Sequence, residues 1–150
     1  MKNFSLIITL MLSIFLIHSC SKQPYVIENA VMRLPAGAGT NSAVFFTFKN
    51  QSDQDIQILS ASSPLNAKLE IHNVSMKNNM MHMHPVDNIK IKSNSEQQFK
   101  SGSFHIMVMG IKDSLIENDK VLITLTLDNN QTTTFEATVQ NMTSTHSMKH

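Results

Sequence analysis

The chain has 150 residues, enough for one domain with its own core and too few for two comfortable ones. Lys plus Arg number 12 against 11 Asp plus Glu, scattered singly, so the charge pattern carries no nucleic-acid footprint and no basic membrane-binding surface. Methionine is the outlier, with 11 residues against one Cys and no Trp, and its placement becomes the first question.

In chain order, a leader comes first. Lys2 precedes an apolar run from Leu6 to Ile17, too short to span a bilayer as a helix but suited to the core of a signal peptide. Ile17-His18-Ser19-Cys20 then resembles a bacterial lipobox, although His18 is an unusual residue at its position. It implies cleavage before Cys20 and a lipid on the cysteine sulfur. The alternative is a plain secreted protein cleaved near Ser19 or Ser21. Both readings give an exported protein, with a lipid anchor as the only membrane contact in the first. No cysteine then remains for a disulfide, so the core must suffice unaided. The sequence thus divides into a signal peptide (1–19), a lipidated cysteine and tether (20–24), a folded domain (25–140) and a tail (141–150).

From Tyr25 onward the pattern is β. Strands are expected at Tyr25–Leu34, Ala43–Lys49, Asp55–Ala61, Lys68–Val74, Met80–His84, Ile89–Lys92, Glu96–Phe99, Phe104–Met109, Val121–Leu127 and Thr133–Val139. Asn-, Ser-, Gly- and Pro-rich turns separate them, among them Asn50–Asp53 and residues 75–79. No stretch longer than a turn or two carries helical periodicity. Many short strands in a chain of this size predict an all-β fold, an antiparallel two-sheet sandwich or barrel with Greek-key connections. The polar tail reads as disordered, yet it carries Met142, His146, Met148 and His150.

Two segments concentrate soft ligands: Glu70 to Val86, and Phe104 to Gly110. On a strand over Phe104–Met109, Phe104, Ile106 and Val108 point into a core, while His105, Met107 and Met109 form a row on the other face. A His and a Met two residues apart on one face can both reach one ion. Alternation likewise puts Met81 and Met83 on one face of their strand and His82 and His84 on the other. A hairpin of 68–74 with 80–84 would bring His72 toward Met83. Thioether sulfur is a soft donor that suits Cu(I). A set without carboxylates disfavours Ca and Mg, and one without thiolates disfavours structural zinc. Blue-copper electron transfer needs a Cys ligand, which the domain lacks. Neutral ligands suit capture and release better than permanent structural binding.

Each residue also has a plainer reading. An isolated Met-x-Met in a strand is usually core, a lone His105 usually hydrogen-bonded, and a His82/His84 pair usually solvated. The joint occurrence of two His/Met clusters in an exported, cysteine-free domain shifts the balance toward metal.

The spacing then meets a known pattern. His72 is followed by ten residues and Met83, and twenty-one further residues lead to His105-Ile106-Met107. The chain resembles the PCuAC-type periplasmic copper chaperones from about Asn29 to Val139. The resemblance implies a cupredoxin-like, immunoglobulin-like Greek-key β-sandwich that binds Cu(I) through His72, Met83, His105 and Met107. It further implies delivery to a client protein such as the copper centre of cytochrome oxidase. Here His82 and His84 stand where the family usually has Arg, and Val74 where it often has Met. Met81, His82, His84 and Met109, with His146, Met148 and His150 of the tail, would be accessory ligands. Tail histidines resemble extensions that hold Cu(II) in some members.

Two other function classes remain open at this level. One is a copper-sequestering or resistance lipoprotein, suggested by the extra histidines. The other is a non-metal immunoglobulin-like assembly module, which the β pattern alone allows. No nucleophile–base motif, phosphate loop or carboxylate pair points to an enzyme. Asn50-Gln-Ser52 and three similar triplets fit the glycosylation acceptor pattern and are read as chance.

Overall fold

A computed structural model describes residues 23–35, 37 and 39–141. Among these the regular structure is entirely β: β1 (Tyr25–Arg33), β2 (Ser42–Asn50), β3 (Ile56–Ser62), β4 (Lys68–Lys77), β5 (Met80–Pro85), β6 (Ile89–Ile91), β7 (Ser95–Phe99), β8 (His105–Met109), β9 (Lys120–Leu127) and β10 (Thr132–Gln140). The expected leader, Cys20, and Met142, His146, Met148 and His150 of the tail lie outside the described residues.

Period-2 alternation explains how these strands pack. On β2, Val44, Phe46 and Phe48 are buried and their neighbours half-buried. Ile56 and Ile58 of β3, Ile106 and Val108 of β8, Ile123, Leu125 and Leu127 of β9, and Val139 of β10 complete one core. Phe46 and Phe99 stack within it at 4.2 Å between ring centroids. Full burial of side chains this size contributes about 1.5–3 kcal/mol each. That supplies the cohesion a disulfide-free domain needs.

The strands form one hydrogen-bonded path folded on itself, in the order β5-β4-β8-β2-β1-β10-β9-β3-β6, with β7 attached to β2. The first half of β2 pairs with β8 and the second half with β7, so two strands share one edge in succession. One pairing departs from the antiparallel expectation: β1 and β10 run parallel. Alternation reveals which face of a strand is buried but not its direction, and these two strands come from opposite ends of the domain.

Asparagine supplies much of the turn chemistry. Six described asparagines have positive φ, in a chain with only 4 glycines. Asn is among the few non-Gly residues that tolerate this region. Asn78 (φ 52°) and Asn79 (φ 58°) make a two-residue hairpin turn, so Lys77 pairs with Met80. The five-residue turn expected at 75–79 is therefore shorter, and β4 runs on to Lys77. Asn29 (φ 55°) sits in a bulge where the β1–β2 register shifts between Glu28 and Val31.

Candidate metal centre

Strands β5, β4 and β8 lie side by side at one end of the path, and their register assembles the site. Across β4–β8, His72 pairs with His105 and Glu70 with Met107. Across β4–β5, Val74 pairs with Met83 and His72 with Pro85. Directly paired residues share a face. His72, Met83, His105 and Met107 are thereby gathered on one face of three adjacent strands. The opposite face carries Ile71, Ile106 and Val108 into the core. Extension of β4 to Lys77 makes His72 a mid-strand residue, held from both sides.

The two imidazoles are buried, His72 at 9 % and His105 at 3 % exposure, with ring centroids 6.0 Å apart. Each is anchored through one nitrogen by a group two residues earlier in the chain. His72 Nε2 donates to Glu70 Oε2 at 2.9 Å, and His105 Nδ1 donates to the Ser103 carbonyl at 2.9 Å. The other nitrogen of each ring, His72 Nδ1 and His105 Nε2, is buried with no hydrogen-bond partner. A buried polar atom left unpaired is costly, and natural folds keep few of them. A hydrogen bond to one ring nitrogen, leaving the other free, is how a protein orients a metal-binding histidine and fixes its tautomer. The sequence reading gave no role to Glu70 or to Ser103. The Glu-x-His spacing on a strand was the available sign for the first.

A cleft of about 230 Å³ opens beside these rings. Met83, His105 and Met107 line it together with Val74, Phe45, Arg33 and the 101–102 loop. His72 is not among the lining residues and stands next to His105. Met107 is half-buried, whereas Met83 is 54 % exposed on the edge strand. The arrangement therefore has a buried imidazole floor and an exposed thioether rim. Arg33 sits with its guanidinium carbon 5.9 Å from the Phe45 ring centroid, and Phe45 lies 6.2 Å from His105. Among the described residues no three His, Cys, Asp or Glu side chains cluster as a metal site. A metal here must draw on methionine sulfur, which selects a soft ion.

The remaining sequence candidates separate by face. Met81, paired with Met76, shares the face of the site, and a Cβ placed on Gly102 would come 3.7 Å from its Cε. Met81 thus overhangs the loop at the rim of the cleft. Met109 shares the same face but pairs with Lys68 and does not line the cleft. His82 and His84 pair with Ser75 and Asn73 and occupy the other face of β5.

Burial pushes the His105 imidazole below its ordinary pKa, with the Ser103 hydrogen bond opposing and nearby His72 adding to the drop. The neutral ring keeps its lone pair available. It also ties apo stability to pH. A depressed folded-state value means the stability is complete above the unfolded value of about 6.5 and is lost as pH falls toward the folded one. Thermal melts of metal-free protein should therefore show Tm falling once pH drops below about 6.5. A flat Tm through that range would contradict a buried neutral ring.

Residues 25–139 match the family model described as "Putative lipoprotein LpqE-like". The chain belongs to the LpqE-like family. A Rickettsia prowazekii (strain Madrid E) protein, Uncharacterized protein RP573, is 34% identical over 95 residues, which cover 63% of this chain and 52% of that one. The match thus spans about half the length of that curated relative. The solution structure of CuI-DR1885 from Deinococcus radiodurans is 25% identical, with a TM-score of 0.63 over 84% of this chain and 85% of that one. The copper-bound PCuAC domain from PmoF2 superposes with a TM-score of 0.66 at 17% identity, covering 79% of this chain and 94% of that one. The LpqE-like domain has the cupredoxin-like PCuAC fold.

Proposed function

We propose that this LpqE-like protein is a copper chaperone of the cell envelope that carries Cu(I) on His72, Met83, His105 and Met107. The observation that carries the reading is the pair of buried, unpaired imidazole nitrogens beside a cleft that holds two thioethers. The likeness to CuI-DR1885 supports the choice of ion, as does the donor chemistry of two imidazoles and two thioethers.

Copper is cargo here, and the asymmetry of the site suits a carrier. The histidine floor is fixed by Glu70 and Ser103, so it is preorganised for capture. Met83, on an exposed edge strand, is the donor a client can displace first. No anionic ligand holds the ion, and Arg33 lines the same cleft. Both features favour handing the metal on. The client is a copper-receiving protein, with the cytochrome oxidase copper centre the candidate that the PCuAC resemblance implies. The family description and the Ile17–Cys20 segment support an exported protein anchored by lipid on Cys20.

Anaerobic titration with Cu(I) against a chromophoric chelator tests the carrier reading. One tight equivalent is expected, and it should raise Tm, because a ligand bound only by the folded state stabilises it by about 4 kcal/mol at a thousand times Kd. An unchanged Tm with no competition against the chelator would reject the function.

A further inference from the structure

The edge strand β5 presents a second pair of imidazoles that the carrier site does not use. His82 and His84 are two residues apart and therefore on one face, about 6.6–6.8 Å apart along the strand. That face is opposite the one bearing Met83, because the register pairs His82 with Ser75 and His84 with Asn73. Both histidines are exposed, and among the described residues neither ring has a hydrogen-bond, ion-pair or ring partner. The Asn73 side chain is committed, its Oδ1 accepting from the Val74 amide at 2.8 Å. The tight Asn78-Asn79 turn and the ladder from His72–Pro85 to Lys77–Met80 hold both backbones in register, so the spacing of the pair is fixed before any ion arrives.

We infer that His82 and His84 form a surface chelate for a divalent copper ion, separate from the Cu(I) site and on the other face of the same hairpin. Imidazole is a good ligand for Cu(II), which stands at the top of the first-row divalent affinity order. Two imidazoles without thiolate or thioether on the same ion suit Cu(II) better than Cu(I). Once one ring is bound, the second binds intramolecularly at high effective concentration, and this chelation gives the pair its affinity. Water completes the coordination sphere on an exposed strand. The inference does not depend on the carrier reading, because it uses neither the buried histidines nor the cleft.

The test uses the chain from Cys20 onward in detergent, with His146 and His150 replaced by alanine so that the histidines left are those of the described domain. Cu(II) titration followed by electron paramagnetic resonance should give one site with two-nitrogen hyperfine structure. His82→Ala or His84→Ala should each weaken it about a hundredfold, the scale of losing one of two linked donors. Metal-free Tm and Cu(I) binding should not change in these variants, which separates loss of the chelate from loss of the fold. The inference is overturned if the double variant H82A/H84A binds Cu(II) as the parent does. It is equally overturned if the signal vanishes in H72A/H105A instead, which would place Cu(II) in the buried site.

Discussion

Replacing His105 by alanine is expected to lower Cu(I) affinity by more than about a hundredfold, beyond the roughly 10–100-fold cost usual for losing a hydrogen-bond partner behind a ligand. His105 is the most buried of the four proposed donors and the one that links the others. It lines the cleft with Met83 and Met107, and it pairs across the ladder with His72. Its free Nε2 has no other partner to compensate. Met83→Ala should produce a loss of similar size with less effect on metal-free stability, since Met83 is half-exposed. Glu70→Gln tests the layer behind. It keeps a hydrogen-bond acceptor beside His72 but removes the charge, and a loss of about tenfold is expected. Met109→Ala is the control: same strand and same face, outside the cleft, with no change expected. The measurement is chelator competition under anaerobic conditions. Parent-like affinity in both His105→Ala and Met83→Ala would dissolve the site.

The strands were legible because period 2 is written plainly into them. Ile106 and Val108 alternate with His105, Met107 and Met109, and the same alternation splits Met83 from His82. Such a pattern fixes which residues share a face of one strand. It does not fix which strands are neighbours, and the convergence of β5, β4 and β8 came from the spacing resemblance and the hairpin rather than from periodicity. The parallel β1–β10 pair shows the same blindness. Side-chain anchors were less legible still. Glu70 stood in plain view two residues before His72, but a carboxylate in a strand is usually a solvated residue. The Ser103 anchor is a backbone carbonyl, which no side-chain pattern reports. Asn50 is hidden for a related reason. As the first residue of an Asn-Gln-Ser-Asp stretch it reads as a turn residue, and its acceptor triplet reads as chance. The structure places it at the end of β2 with its side chain fully inside. That burial leaves no room for a glycan on its amide.

Asn50→Ala is accordingly expected to be the most damaging polar substitution away from the candidate metal centre. At 1 % exposure, the side chain joins three segments. Its Nδ2 donates to the carbonyls of Gln54 at 2.8 Å and Lys92 at 3.0 Å, with Ile91 at 3.5 Å. Its Oδ1 accepts from the Ser52 hydroxyl at 2.7 Å and the Ser52 amide at 3.1 Å. One amide thus holds the β2–β3 loop against the end of β6. Alanine removes every one of these partners at once, and each buried group left unpaired costs about 1–3 kcal/mol. Several of the partners can turn to solvent, so a total of roughly 2–4 kcal/mol is expected, seen as a Tm lower by about 10 °C. Asn50→Asp should not rescue it, since it keeps the acceptor while setting a carboxylate against carbonyl oxygens. Cu(I) affinity of the protein that remains folded should be unchanged, because Asn50 lies five residues, about 17 Å, along β2 from Phe45 at the cleft. A Tm within a degree or two of the parent would mean that solvent replaces the network freely, and that the closure of this end of the sandwich rests on the apolar contacts of Ile56 and Ile91 alone.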